Sequence, residues 1–187
     1  MTDLIGKYLG RYHIQRQLGE GGMASVFVAY DARLERSVAI KIIRSEQTNA
    51  PSFLARFELE AKALAKLSHP NIVKVLDYGD QEGIPYLVME YIPGGTLRQK
   101  ITGVLSYTQS AALLAPIARA LEYAHQHKII HRDIKPANIL ISETGQPLLS
   151  DFGIAKLLEN EEGLTGTGVG IGTPEYMAPE QGTGNPV

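Results

Sequence analysis

The 187 residues include no cysteine, which excludes a disulfide framework, a thiolate zinc site and a thiol nucleophile. Such a chain suits a reducing cytosol. Excess charge of one sign is lacking too. Eighteen Lys and Arg stand against 20 Asp and Glu, a formal net charge of −2, so a general nucleic-acid surface, normally clearly basic, is not expected. Long hydrophobic runs are also missing. The most apolar helical stretch, Ala111 to Ala124, is interrupted by Arg119 and Glu122 and is too short for a bilayer, so it reads as a buried core helix. The opening MTDLIGKYLGRY has no apolar core of signal-peptide length, and Thr2 breaks the N-myristoyl glycine pattern. No repeat of solenoid length is visible. What is present, 44% hydrophobic and 20% charged residues, is ordinary for a globular protein of one domain or two lobes sharing a cleft.

From Tyr12 to Arg44 the pattern is strand-like. A glycine-rich GEGGMA interrupts it, and SVFVAY and SVAIKII follow as β-branched runs joined by the polar turn DARLER. Pro51 opens a helical period with Phe53, Phe57, Leu64 and Leu67 on one face, ending near Ser68-His69-Pro70. Two short strands, about Ile72–Tyr78 and Tyr86–Tyr91, flank the turn DQEG. After Pro93-Gly94-Gly95 the chain turns helical, with Thr108 expected to cap a helix running to about His127 and Pro116 to bend it or lie near its first turns. Glycine and threonine dominate 163–172, which reads as a mobile loop. A strand-rich first half with one long helix and a helical second half point to an α+β fold in two lobes, residues 12–92 and 93–187. Clefts of that kind are common nucleotide sites.

The chemistry concentrates in His131–Leu140, HRDIKPANIL, followed by Asp151-Phe152-Gly153 and Ala178-Pro179-Glu180. An aspartate, a lysine two residues on, an asparagine five on and a second acid beyond suit phosphoryl transfer from a Mg-nucleotide. That reaction needs positioned cations and a carboxylate that orients the attacking hydroxyl. Taken singly, each triplet is an ordinary solvated loop; their joint occurrence in this order is not. Together with LGEGGMASV and the lysine of Val38-Ala39-Ile40-Lys41, they resemble the protein-kinase signature set.

The resemblance runs from about Tyr12 to Gly182 and implies a two-lobed protein-kinase-like fold, with an incomplete helical C-lobe. It implies ATP and Mg²⁺ as cofactors. Leu18, Gly19, Glu20, Gly21, Gly22, Met23, Ala24, Ser25 and Val26 form the phosphate loop in it, with Ala24 where a third loop glycine is usual. Lys41 pairs with the phosphates and with Glu60; Glu58 is the rival partner, set aside on the match of ARFELEA to the family. Met89, the Glu90 carbonyl and the Ile92 N–H meet adenine, and Val26, Ala39 and Leu140 sandwich it. Thr96 stands where a ribose-binding acid is common. Asp133 orients the hydroxyl, Lys135 neutralises the γ-phosphate, Asn138 and Asp151 bind the metal, and His131 supports the loop.

Lys135-Pro136 and GTPEYMAPE follow the serine/threonine pattern, and GEGGMASVF with APEQ looks most like bacterial serine/threonine kinases of the eukaryotic-like class. Protein substrates with Ser or Thr acceptors are therefore expected, with room for a kinase dimer, no nucleic acid and no membrane segment within these residues. The same resemblance implies autophosphorylation at Thr165 and Thr167 read by Arg132, with Thr173 holding the catalytic loop. Kinase domains continue for about 80 residues past this point, whereas the sequence stops seven residues after Glu180. A fragment of a longer, cytoplasmic and membrane-tethered kinase is one reading. A naturally truncated nucleotide-binding or interaction module with weak or no catalysis is the other. A small-molecule phosphotransferase is disfavoured because such enzymes generally lack an APE-anchored segment.

Overall fold

The computed structural model describes residues 4–21, 24–43, 51–152 and 174–182. The chain divides into two compact units: Met1–Ser68 with Val73–Ile92, and His69–Ile72 with Pro93–Val187.

The first unit is a six-stranded antiparallel sheet and one long helix. Strands β1 (Tyr8–Leu9), β2 (Tyr12–Glu20), β3 (Ala24–Asp31), β4 (Arg36–Ile43), β5 (Val75–Gln81) and β6 (Ile84–Glu90) lie in the order β1-β2-β3-β4-β6-β5. Period-two alternation gives the sheet two different faces. Tyr12, Ile14, Phe27, Ala29, Val38, Ile40, Ile42, Tyr86 and Val88 form a buried cluster on one of them. Each turn has a local cause. After β3, the Asp31 carboxylate accepts from the N–H groups of Arg33 and Leu34 at 3.1 and 3.2 Å. Between β5 and β6, Glu82 and Gly83 both adopt positive φ, 55° and 78°, the two-residue hairpin geometry whose twist matches the strands. The reversal is thus confined to two residues of DQEG, and β5 starts at Val75 rather than Ile72.

Helix α1 (Pro51–Ala65) buries Phe53, Phe57, Ala61 and Leu64 and lies against β5 and β6. It ends three residues before Ser68: Lys66 and Leu67 donate to Ala63 and Leu64, an i→i−3 tightening that closes the last turn.

The second unit holds α2 (Leu97–Lys100), α3 (Tyr107–Gln126), a 3-10 turn (Pro136–Asn138), β7 (Ile139–Ile141) paired with β8 (Pro147–Leu149), a second 3-10 turn (Pro174–Tyr176) and α4 (Pro179–Gly182). Segment His69–Ile72 belongs here because Asn71 bonds on both sides to β8. Its Nδ2 donates to the Pro147 carbonyl at 2.8 Å, and its carbonyl accepts from Leu149 N–H at 2.8 Å.

Two expectations for α3 need correcting. Its N-cap is Ser106, not Thr108: Ser106 Oγ accepts from Gln109 N–H while Gln109 Oε1 accepts from Ser106 N–H. The S-x-x-Q spacing of a capping box was the stronger signal. Nor is α3 a buried core helix, since only Ile117, Ala120 and Ala124 are buried and Leu114 is 55% exposed. The helix ends in a Schellman motif, with Ile129 N–H on the Ala124 carbonyl and Lys128 N–H on the His125 carbonyl. Lys128 supplies the left-handed residue (φ 61°) that glycine usually provides. Pro116 lies at mid-helix without interrupting it.

No helix among the described residues is long and apolar enough to cross a membrane.

Candidate active site

The first unit contributes one sheet face. Strand pairing sets Gly19 opposite Val26, Val26 opposite Lys41 and Lys41 opposite Leu87. The neighbouring row runs Arg16, Val28, Ala39, Met89. Cross-strand partners point to the same side, so Val26, Ala39, Lys41 and Met89 share the face opposite the buried Phe27–Ile40–Val88 cluster. Lys41 is half-buried there, an ammonium set among apolar neighbours. Glycine-loop residues flank this face. Gly19 and Glu20 end β2, Ala24 and Ser25 begin β3, and Gly21 N–H donates to the Ala24 carbonyl at 2.9 Å. Leu18 lies in a bulge between Gln17 and Gly19 and is 44% exposed. Gly22 and Met23 lie outside the described residues.

On α1 the two candidate glutamates have different surroundings. Glu58 is exposed, 2.6 Å from Lys62 one turn on, and accepts from the Tyr78 hydroxyl at 3.3 Å. The Lys62 bond holds its carboxyl below the usual carboxylate range. Glu60 is half-buried. Its rival is thus already engaged on the outer surface. Glu90 closes β6 with its N–H on the Lys74 carbonyl at 2.9 Å, followed by Ile92.

The second unit contributes a loop wired through buried groups. His131, 1% exposed, uses both ring nitrogens: Nε2 donates to the Ser150 carbonyl at 2.8 Å, and Nδ1 accepts from Asp133 N–H at 3.2 Å. These two bonds fix the tautomer. Its ring also packs at a tilt of 46° against Phe152, with centroids 4.6 Å apart. Ser150 in turn bonds the Asn138 carbonyl through its N–H (2.9 Å) and hydroxyl (3.1 Å). Asn138 Nδ2 donates to the Asp133 carbonyl at 2.8 Å and to Asp133 Oδ2 at 2.9 Å, and Lys135 Nζ sits 2.8 Å from that same Oδ2. Asp133, Lys135 and Asn138 therefore form one hydrogen-bonded group, joined to Ser150 and, one residue further, to Asp151. The aspartate is held by its backbone and by two cationic or amide donors. That preorganises a carboxylate without consuming both oxygens on these two partners.

Asp151 has φ 59° and Arg132 φ 66°. Non-glycine residues in the left-handed region occur where surrounding contacts over-determine the backbone; here those contacts are the His131–Ser150 and Ser150–Asn138 bonds. With Nδ2 turned to Asp133, the Asn138 amide has Oδ1 as its remaining acceptor. An amide oxygen at the end of the Pro136–Asn138 turn and a carboxylate two residues past β8 are hard donors of the kind Mg²⁺ takes alongside phosphate oxygens and water. No cluster of three or more His, Asp or Glu with metal-binding geometry occurs among the described residues. The donor set thus fits a shared protein–phosphate site rather than an all-protein cage.

Thr96 caps α2, its hydroxyl accepting from Gln99 N–H at 3.2 Å, and its backbone bridges to Leu140. Thr165, Thr167 and Thr173 lie outside the described residues. Two groups escaped the sequence reading. Asn71 and Ser150 are buried polar links whose partners are distant in sequence, so no local pattern announced them. The Arg16–Tyr91 pair on the first unit is the other.

The chain matches the protein kinase domain family over residues 12–186. PknB of Bifidobacterium longum, a probable serine/threonine-protein kinase, is 45% identical over all of this chain and 28% of its own length. The serine/threonine-protein kinase PrkC of Bacillus subtilis is 45% identical over 97% of the chain and 28% of its own length. A mutant PknI kinase domain from Mycobacterium tuberculosis superposes with a TM-score of 0.77 at 30% identity, covering 97% of this chain and 68% of that one. The chain spans under a third of those two curated relatives. With the family matched over nearly its whole length, the chain belongs to the protein kinase domain family.

Proposed function

We propose that the chain carries the nucleotide and catalytic residues of a serine/threonine protein kinase, transferring the ATP γ-phosphate to Ser or Thr hydroxyls of proteins. The observation that carries this is the Asp133–Lys135–Asn138 group, tied through Ser150 to the backbone beside Asp151. It joins a carboxylate, a cation and an amide in one hydrogen-bonded group, bonded to the residue that precedes a second carboxylate. Family membership and the names of the relatives support it.

In this reading, the face of Val26, Ala39 and Met89 takes adenine, and the Glu90 carbonyl and Ile92 N–H read its edge. The glycine-loop backbone and the Lys41 ammonium hold the phosphates, with Glu60 as the carboxylate partner of that ammonium. Asn138 Oδ1 and the Asp151 carboxylate would hold Mg²⁺, which when bound would offset the charge developing on the transferred phosphate. Asp133 accepts the hydroxyl hydrogen bond and takes the proton as the oxygen attacks. Lys135, salt-bridged to Asp133 before substrate arrives, shifts its charge toward the transferred phosphoryl group. Thr173 steadies the catalytic loop, and Arg132 is the partner for phosphate on Thr165 or Thr167. Proteins with Ser or Thr acceptors are the substrates, a second copy of the chain is a candidate partner, and the cytoplasm is the compartment.

Thermal protection tests the site. Mg-ATP should raise the melting temperature of the wild type, and the metal-dependent part should vanish in Asp151→Asn. Equal protection of both would overturn the metal assignment.

A further inference from the structure

On the first unit, Arg16 Nη2 donates to the Tyr91 hydroxyl oxygen at 2.6 Å, and its guanidinium carbon lies 5.8 Å from the centre of the Tyr91 ring. The two residues are 75 apart in sequence. Arg16 is on β2 and Tyr91 directly follows β6, and β3 and β4 lie between those strands. Three strand spacings in a flat sheet come to about 14 Å, a span two long side chains reach only by lying across the face between them.

Which face they cross follows from the register. Arg16 is paired with Val28, Val28 with Ala39, and Ala39 with Met89. Tyr91, two residues past Met89, alternates onto the same side. The pair therefore arches over the row Val28–Ala39–Met89. It stands one row away from Val26 and Lys41. Two irregularities in the β2–β3 pairing, between Ile14 and Arg16 and between Gln17 and Gly19, bracket Arg16. Bulges of this kind re-aim a side chain and sharpen local twist, and here they turn Arg16 toward Tyr91.

Resting on the nucleotide reading above, we propose that Arg16 and Tyr91 form a strap that closes the base end of the nucleotide face. The strap fixes the distance between the glycine-loop strand β2 and the Glu90–Ile92 segment. Both are positioning residues. They act on the purine through the width of the face they span; the Gly19–Val26–Lys41 row that faces phosphate is the next row, which the pair does not cross. The bond is largely exposed, so its loss should weaken binding by a modest factor.

Calorimetric titration of the purified protein with Mg-ATP, adenosine and Mg-tripolyphosphate separates the two ends. Arg16→Ala and Tyr91→Ala should each bind ATP and adenosine about three- to tenfold more weakly, the loss of one exposed charge-assisted bond. Tripolyphosphate affinity and melting temperature should stay at wild-type values. Arg16→Lys keeps a cation and a donor for the Tyr91 oxygen and should recover most of the loss. Unchanged ATP affinity in both alanine variants overturns the strap, as does an equal loss for tripolyphosphate, which would mean general loosening of the loop. Wild-type protein that binds neither ATP nor tripolyphosphate overturns the nucleotide reading itself and the strap with it.

Discussion

Among the described glycines of the second unit, Gly94→Ala should be the most damaging single-methyl change, and its cost can be worked from backbone alone. A Cβ on Gly94 would fall inside contact distance of the Ile141 carbonyl oxygen, 3.0 Å from its carbon and 3.2 Å from the Ser142 oxygen. None of these atoms is the free end of a flexible side chain. Ile141 N–H is already bonded to the Gly95 carbonyl at 2.9 Å, Ser142 N–H to the Gln146 carbonyl at 2.8 Å, and Ile141 pairs with Pro147 across the β7–β8 hairpin. Relief requires backbone movement on the order of 1 Å to reach an ordinary C···O separation. That movement sacrifices the Ile141–Gly95 bond. Overpacking plus one lost backbone bond comes to about 2–4 kcal/mol, or roughly 4–16 °C in melting temperature for a chain of this size. Gly103 is the control, because nothing lies within 4 Å of its added Cβ and its φ is not left-handed. Scanning calorimetry of both variants decides the matter. A Gly94→Ala melt within about 1 °C of wild type, or no lower than that of Gly103→Ala, would refute the reasoning.

Three further outcomes follow from particular contacts. Ser106→Ala should cost about 1 kcal/mol through loss of the α3 capping box, while Thr108→Ala should be nearly silent; chemical denaturation compares them. Tyr12, whose hydroxyl donates to Asp77 at 2.7 Å, has its pKa raised by burial and then by that bond. Since the folded pKa lies above the unfolded value near 10, its contribution is complete below that pH and is lost as pH climbs; Tyr12→Phe should be less stable at pH 7 and should show a shallower alkaline decline, measured by denaturant melts from pH 8 to 12. In an active enzyme, incubation with Mg-ATP should place phosphate on Thr165 or Thr167, read by mass spectrometry; an active enzyme with no phosphate between Leu164 and Gly168 would remove those threonines from its regulation.

Much of this site was written locally. Asp133, Lys135 and Asn138 occupy a single six-residue stretch, and the structure joins them by bonds of 2.8 and 2.9 Å. The strand carrying Lys41 was equally legible, because β-branched runs set β3 and β4 before any contact was known. Legibility failed where the determining interaction lay far away or took an uncommon residue. The end of α3 rests on a left-handed Lys128, with no glycine to mark it. The extent of its burial depended on packing partners that helical periodicity does not reveal. Asn71 reads as a loop polar until β8, 76 residues on, supplies its acceptor. Nothing local marks Arg16 within the strand-like Tyr12–Arg44 stretch, since its partner lies 75 residues away and across two intervening strands.

Phosphotransfer by an Asp133→Asn variant tests the central claim most directly. In the complete kinase domain with Mg-ATP and a protein acceptor, the account predicts phosphoserine or phosphothreonine from the wild type. The variant should keep ATP affinity and lose kcat, because Asp133 acts on the hydroxyl and its two side-chain donors, Asn138 and Lys135, act on the metal and phosphates. Transfer by the variant within a few-fold of wild type, or a wild type that binds Mg-ATP yet phosphorylates no protein hydroxyl, would contradict it.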